Sequence, residues 1–175
     1  MRANLPRLVT GFALAGLVFA ADQAVKYWVL TTLAFSPPGC LQAHVGCGRI
    51  ELSAIFDLTM VWNHGVSFGL FRADSPLGRW ILVAVTGAIA AGFSLWLTRT
   101  RRPLRIWALG AIVGGAAGNL IDRILYGAVA DFFDFSGLGF PWVFNVADAA
   151  INVGAALLLI DFLLEGRSET APGKT

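Results

Sequence analysis

The residues able to do chemistry are few, and most are carboxylates and amides at helical spacing. Asp22 and Lys26 stand four apart, Asn119 and Asp122 three apart with Arg123 beside them, and Asn145 and Asp148 three apart. Side chains three or four apart share a helix face. Asp22 can therefore pair with Lys26, and Asp122 with Arg123 or another basic group, which leaves Asp131 and Asp148 without an obvious local counter-ion. Two carboxylates at close range cannot both ionise. Such a pair shares a proton, the ionised member activating water while the protonated one polarises a carbonyl. That is aspartic peptidase chemistry. Asp134, in Asp131-Phe132-Phe133-Asp134-Phe135, could stand in for Asp131, and spacing alone does not separate the two.

Other chemistries have less support. Cys40 and Cys47 form a C-x6-C pair that matches no zinc spacing and has no reason to be nucleophilic. His44 and His64 are too few and too ill-spaced for a metal site and read as loop or interfacial residues, so no metal and no cofactor is expected. The Asp22/Lys26 and Asp122/Arg123 pairs read better as architectural ion pairs fixing helix register than as direct catalysts. Gly114, Gly115 and Gly118 form a strip suited to close helix packing. Asp161 reads as a solvated helix terminus.

Composition says what must position these groups. Of 175 residues 57% are hydrophobic and only 14% charged, with a mean hydropathy of +0.69. One soluble core could not hide that much apolar surface, so a membrane protein is expected. A net charge of +2, from 13 Lys and Arg against 11 Asp and Glu, gives no nucleic-acid face. Apolar runs near 8–30, 80–97, 106–124 and 143–164 each approach the roughly 20 residues that cross a bilayer. Trp28, Trp80, Trp96, Trp107 and Trp142 lie near their ends, where amphipathic rings suit the headgroup region. Arg2 and Arg7, then Arg99, Arg101, Arg102 and Arg105, then Arg167 and Lys174 place both termini and the middle loop in the cytoplasm.

The first run also imitates a cleavable signal peptide, but Asp22, Gln23 and Lys26 continue the same helix and argue for its retention. The chain reads as one domain, residues 1–175. Its outer loop, about 31–78, carries partial alternation around the turn-like Asn63-His64-Gly65, which predicts a small β hairpin or sheet. Cys40 and Cys47 share that loop, where an oxidising compartment could join them. In this topology Asp22, Lys26, Asn119, Asp122, Arg123, Asp131, Asn145 and Asp148 all gather near the outer face. Ionisable groups in lipid are costly, so the cluster marks a functional site. The alternative to a peptidase is a small proton-coupled transporter, disfavoured because no inverted repeat and no mid-membrane acid is visible.

Five blocks carry a family resemblance: Asp22-Gln23-Ala24-Val25-Lys26, Trp62-Asn63-His64-Gly65-Val66-Ser67-Phe68-Gly69, Gly114-Gly115-Ala116-Ala117-Gly118-Asn119-Leu120-Ile121-Asp122-Arg123, Gly127-Ala128-Val129-Ala130-Asp131-Phe132 and Phe144-Asn145-Val146-Ala147-Asp148. In that order on four spans, they make the chain resemble the lipoprotein signal peptidase, or signal peptidase II, family of bacterial inner-membrane aspartic endopeptidases. The resemblance implies an all-α membrane fold with a small extracytoplasmic β element. It implies Asp131 and Asp148 as the catalytic pair, selecting Asp131 over Asp134. It further implies Asn119, Asp122, Arg123 and Asn145 as supports of the dyad and the substrate backbone, Asp22 and Lys26 as the first-helix pair, and Asn63 in a β cradle over the substrate. The substrate implied is a prolipoprotein, cut just before a diacylglyceryl-modified cysteine within the lipid; globomycin would inhibit, and a monomer is expected. Departures are a long outer loop around Cys40 and Cys47, and Ala130 where a branched residue is usual.

Overall fold

Each apolar run forms one long helix in the computed structural model, which describes residues 5–33, 35–42, 46–65 and 75–169. These are α1 (Leu5–Tyr27), α2 (Pro76–Arg99), α3 (Pro103–Leu125) and α4 (Val146–Glu169). All four are long and apolar enough to cross a membrane. Local signals set their starts. Ser75 caps α2 by accepting from the Gly78 amide at 3.1 Å, and proline opens both α2 and α3. A five-residue π-helical turn, Trp28–Thr32, prolongs α1 and buries Val29.

Helix α3 is the axis of the bundle. Of its apolar window 67% is buried, against 6% for α2, so α2 is largely left to the lipid while α3 packs on all three neighbours. Small residues allow this. A Cβ on Gly114 would stand 2.5 Å from the Ala15 carbonyl oxygen. At Gly118 the same space is filled by the Asp22 carboxylate, so only glycine lets α1 and α3 approach with that acid between them.

Four antiparallel strands sit at one end of the bundle in the order β1 (Gly48–Glu51), β2 (Asp57–Asn63), β3 (Val129–Asp134) and β4 (Val143–Phe144). The loop after α1 supplies the first two and the connection from α3 to α4 the last two, so the sheet stitches both connections together. Leu58, Met60 and Trp62 alternate along β2 into a core with Val29, Phe35, Ala130 and Phe132. That alternation leaves Asn63 and Asp131 on the opposite face. A disulfide joins Cys40 to Cys47 ahead of β1.

Two expectations shift. The β1–β2 turn lies at residues 52–56, where the Ser53 hydroxyl oxygen accepts from the Phe56 amide at 3.0 Å, whereas Asn63-His64-Gly65 ends β2; Val66-Ser67-Phe68-Gly69 lie outside the described residues. Val143 and Phe144, expected to open the last span, pair with Asp134 and Phe133 instead, and α4 begins at Val146.

Gly118→Ala should lower stability by about 1–3 kcal/mol, because the added methyl displaces a buried carboxylate that the packed helices cannot release. Thermal unfolding of the detergent-solubilised protein reads this. Gly16→Ala, with open space at its Cβ, should leave the transition unchanged or slightly higher.

Candidate active site

Lys26 is 3% exposed and uses all three ammonium donors. They reach Asp22 Oδ2 and Asp122 Oδ2 at 2.8 Å each, and Asn119 Oδ1 at 3.2 Å. Asp122 therefore takes its cation from α1, not from neighbouring Arg123. The remaining acceptor capacity of the two acids holds backbone: Asp122 Oδ2 accepts from the Ala130 amide at 3.2 Å, and Asp22 Oδ1 from the Ala147 amide at 2.9 Å. Ala130 precedes Asp131 and Ala147 precedes Asp148. Each acid held by Lys26 thus fixes the segment carrying one member of the candidate dyad. Gln23, absent from the expected site residues, donates to Asp22 Oδ2 at 3.0 Å and to Asp122 Oδ1 at 3.2 Å.

Three amides complete the frame, and each is oriented by a donor that cannot accept. Lysine offers only donors, so Asn119 must turn its oxygen to Lys26 and its NH2 to Asp148 Oδ1, at 2.7 Å. Asn145 turns its oxygen to the Asp148 amide at 2.8 Å, and its NH2 meets Asp131 Oδ1 at 2.7 Å. Asp148 Oδ2 accepts in return from the Asn145 amide at 3.4 Å, closing a reciprocal cap on the first turn of α4. Asn63 turns its oxygen to the Gly65 amide at 3.0 Å and its NH2 to Asp131 Oδ2 at 3.2 Å. Its strand partner is Val129, so it is a diagonal neighbour of Asp131 on one sheet face.

Asp131, 2% exposed, and Asp148 line one cleft of about 340 Å³ with Asn63, Phe140, Trp142 and Phe144. Burial first, and then the Asp148 charge, push the Asp131 carboxyl well above the usual carboxylate range, although the Asn63 and Asn145 amides oppose this. The pair can therefore hold one proton where an exposed aspartate would be ionised. Asp134 is set apart. The Thr59 hydroxyl donates to it at 2.6 Å and holds its carboxyl below the usual range, and it is not among the cleft-lining residues. Among the described residues Arg123 meets no carboxylate; it donates to the Asn119 carbonyl at 3.2 Å and to the Gly65 carbonyl at 2.9 Å, tying the end of β2 to α3. His64 Nε2 lies 2.8 Å from the Leu41 carbonyl, and His44 is outside the described residues.

A family profile described as signal peptidase (SPase) II matches residues 14–164. The chain belongs to the signal peptidase II family. It is 45% identical over 154 residues to a lipoprotein signal peptidase of Caulobacter vibrioides, covering 87% of this chain and 86% of that one. A lipoprotein signal peptidase of Beijerinckia indica is 44% identical over 169 residues, covering 95% of each chain. A solved bacterial membrane enzyme superposes with a TM-score of 0.75 at 25% identity, over 95% of this chain and 94% of that one. Membership of the signal peptidase II family removes the transporter alternative.

Three further groups escaped the sequence reading of this signal peptidase II member. Asp161, expected to be solvated, is 1% exposed and lies 2.8 Å from Arg102 Nε and 2.7 Å from Arg105 Nε, an arrangement Glu165 extends. It clamps α3 to α4 at the end remote from the cleft. Arg79 of α2 donates to the carbonyls of Arg123 at 3.0 Å and Ile124 at 2.5 Å, satisfying the last turn of α3. Asn152, one turn beyond Asp148, lines the cleft; its signal was a lone amide inside an apolar run.

Lys26→Met should lower stability by about 3–5 kcal/mol, since it strands two buried carboxylates. Adding Asp122→Asn should recover part of that loss by removing one stranded charge. Unfolding temperatures of the two variants, compared in one detergent, check both statements.

Proposed function

We propose that the chain acts as one membrane-embedded aspartic endopeptidase unit, a monomer, that removes signal peptides from prolipoproteins just before a diacylglyceryl-modified cysteine. The observation that carries this reading is the pair of carboxylates in one cleft, each gripped by an amide whose orientation is fixed from behind. With both termini cytoplasmic, as the arginine distribution favours, the cleft opens near the outer face of the bacterial inner membrane. A lipidated cysteine at the end of a signal helix arrives at that depth. Aromatic groups at Phe140, Trp142 and Phe144 give the cleft an apolar wall suited to the helix and to acyl chains.

In the proposed reaction Asp131 and Asp148 share one proton. The ionised member takes a proton from water as the water oxygen attacks the scissile carbonyl, and the protonated member gives its proton to that carbonyl's oxygen. The tetrahedral diol then collapses: the C–N bond breaks, one hydroxyl proton returns to the dyad, and the dyad protonates the departing amine of the cysteine. The proton count of the pair is restored, with no acyl-enzyme. Asn119 and Asn145 hold the carboxylates against rotation, Asn63 covers Asp131, and Asp22, Lys26, Asp122 and Arg123 keep the supporting segments in register. Globomycin, a cyclic peptide, would compete for the same cleft.

In cleavage of a diacylglyceryl-modified prolipoprotein by purified protein, Asp131→Asn and Asp148→Asn should each lose about 10²- to 10⁴-fold or more in kcat at unchanged folded yield. Asp134→Asn should keep most activity; equal loss there would move the dyad. The raised Asp131 carboxyl also sets a pH dependence. The shared proton is present below its pKa and lost above, so kcat/KM should fall as pH rises through a value well above the ordinary carboxylate range. A profile flat from acid to alkaline pH would contradict the shared-proton mechanism.

A further inference from the structure

Asn152 stands on α4 four residues after Asp148, about 6 Å further along the helix at 1.5 Å per residue and on the same face. Its side chain is exposed along the cleft wall that Asp131 and Asp148 also line, next to Ala149 and Val153. It finds no hydrogen-bond partner among the described residues. Every other exposed residue of α4 from 152 to 164 is apolar, as a lipid-facing surface requires. An amide left without partners at that depth is costly, so this position is suited to a polar group brought from outside the protein.

The substrate brings such groups. A signal helix that ends in an extended segment at the dyad leaves its last four carbonyls without intrahelical donors, and lipid supplies none. Those carbonyls precede the scissile bond and enter from deeper in the membrane, the side of the dyad on which Asn152 lies. The ester carbonyls of the diacylglyceryl group present the same acceptor chemistry, but they belong to the residue after the scissile bond. We infer that Asn152 is a substrate-binding residue whose amide NH2 donates to the unpaired backbone carbonyls at the end of the signal helix. This rests on the endopeptidase reading above.

The test is steady-state cleavage by the purified full chain with Asn152→Leu and Asn152→Gln, on a substrate lipidated through ester bonds and on one lipidated through ether bonds. Leucine suits a lipid-exposed helix position, and equal unfolding temperatures for the variants exclude a folding defect. The expected result is a KM raised about five- to tenfold by Asn152→Leu with kcat unchanged, partial recovery by Asn152→Gln, and the same penalty on both substrates. An unaltered KM in Asn152→Leu overturns the inference while leaving the endopeptidase standing. A penalty that vanishes on the ether substrate also overturns it, assigning the amide to the ester carbonyls. An inert wild type removes the endopeptidase reading and this inference together.

Discussion

Lys26 carries a full charge inside a membrane-spanning helix, and desolvating it is tolerable only because every one of its donors meets an acceptor. Two of these are carboxylates, and their remaining acceptor positions meet further donors, namely the Gln23 side chain and the amides of Ala130 and Ala147. What the ions supply is geometry, since one ammonium fixes in a single place the approach of α1 to α3, the start of β3 and the start of α4.

The rest of the architecture serves that placement. Gly118 lets the Asp22 carboxylate lie flat against α3, and the sheet, built from two separate connections, brings Asn63 beside Asp131 by register and not by sequence proximity. Asp148 sits in the first turn of α4, where it exchanges hydrogen bonds with Asn145 in a reciprocal cap. At the opposite end, Asp161 between Arg102 and Arg105 holds α3 and α4 together. With both ends of this helix pair locked, the site is mounted on rigid elements, as oriented catalytic groups need.

How much of this could be read from the sequence follows from the range of each interaction. The four spans were legible because hydropathy is a local property, and Asp22 with Lys26 because a helix makes spacing equivalent to proximity. Topology brought Asp148 and the Asp131–Asp134 segment to one face, and only the family resemblance selected Asp131 over Asp134. Helix-to-helix pairing was not legible: Asp122 beside Arg123 invited a local pair, yet Lys26 from another helix takes it. Asp161 was hidden in the same way, its partners lying 59 and 56 residues earlier in the chain. Val143 and Phe144 are as apolar as the span they precede, and only their pairing with β3 makes them strand.

The choice of amides around the dyad has its own logic. A cation set directly against Asp131 or Asp148 would favour the doubly ionised pair and remove the proton that the proposed reaction needs. An amide grips a carboxylate without contributing a charge. Asn119 stands between Lys26 and Asp148, accepting from the ammonium at 3.2 Å and donating to the acid at 2.7 Å. The lysine therefore orients the site through a neutral intermediary, while its charge is directed to Asp22 and Asp122. Arg123 follows the same rule, turning its donors to the carbonyls of Asn119 and Gly65. Rigid positioning is delegated to ions and protonation is left to burial, which is how one small bundle can hold four carboxylates within one site and leave Asp131 and Asp148 for the proposed reaction.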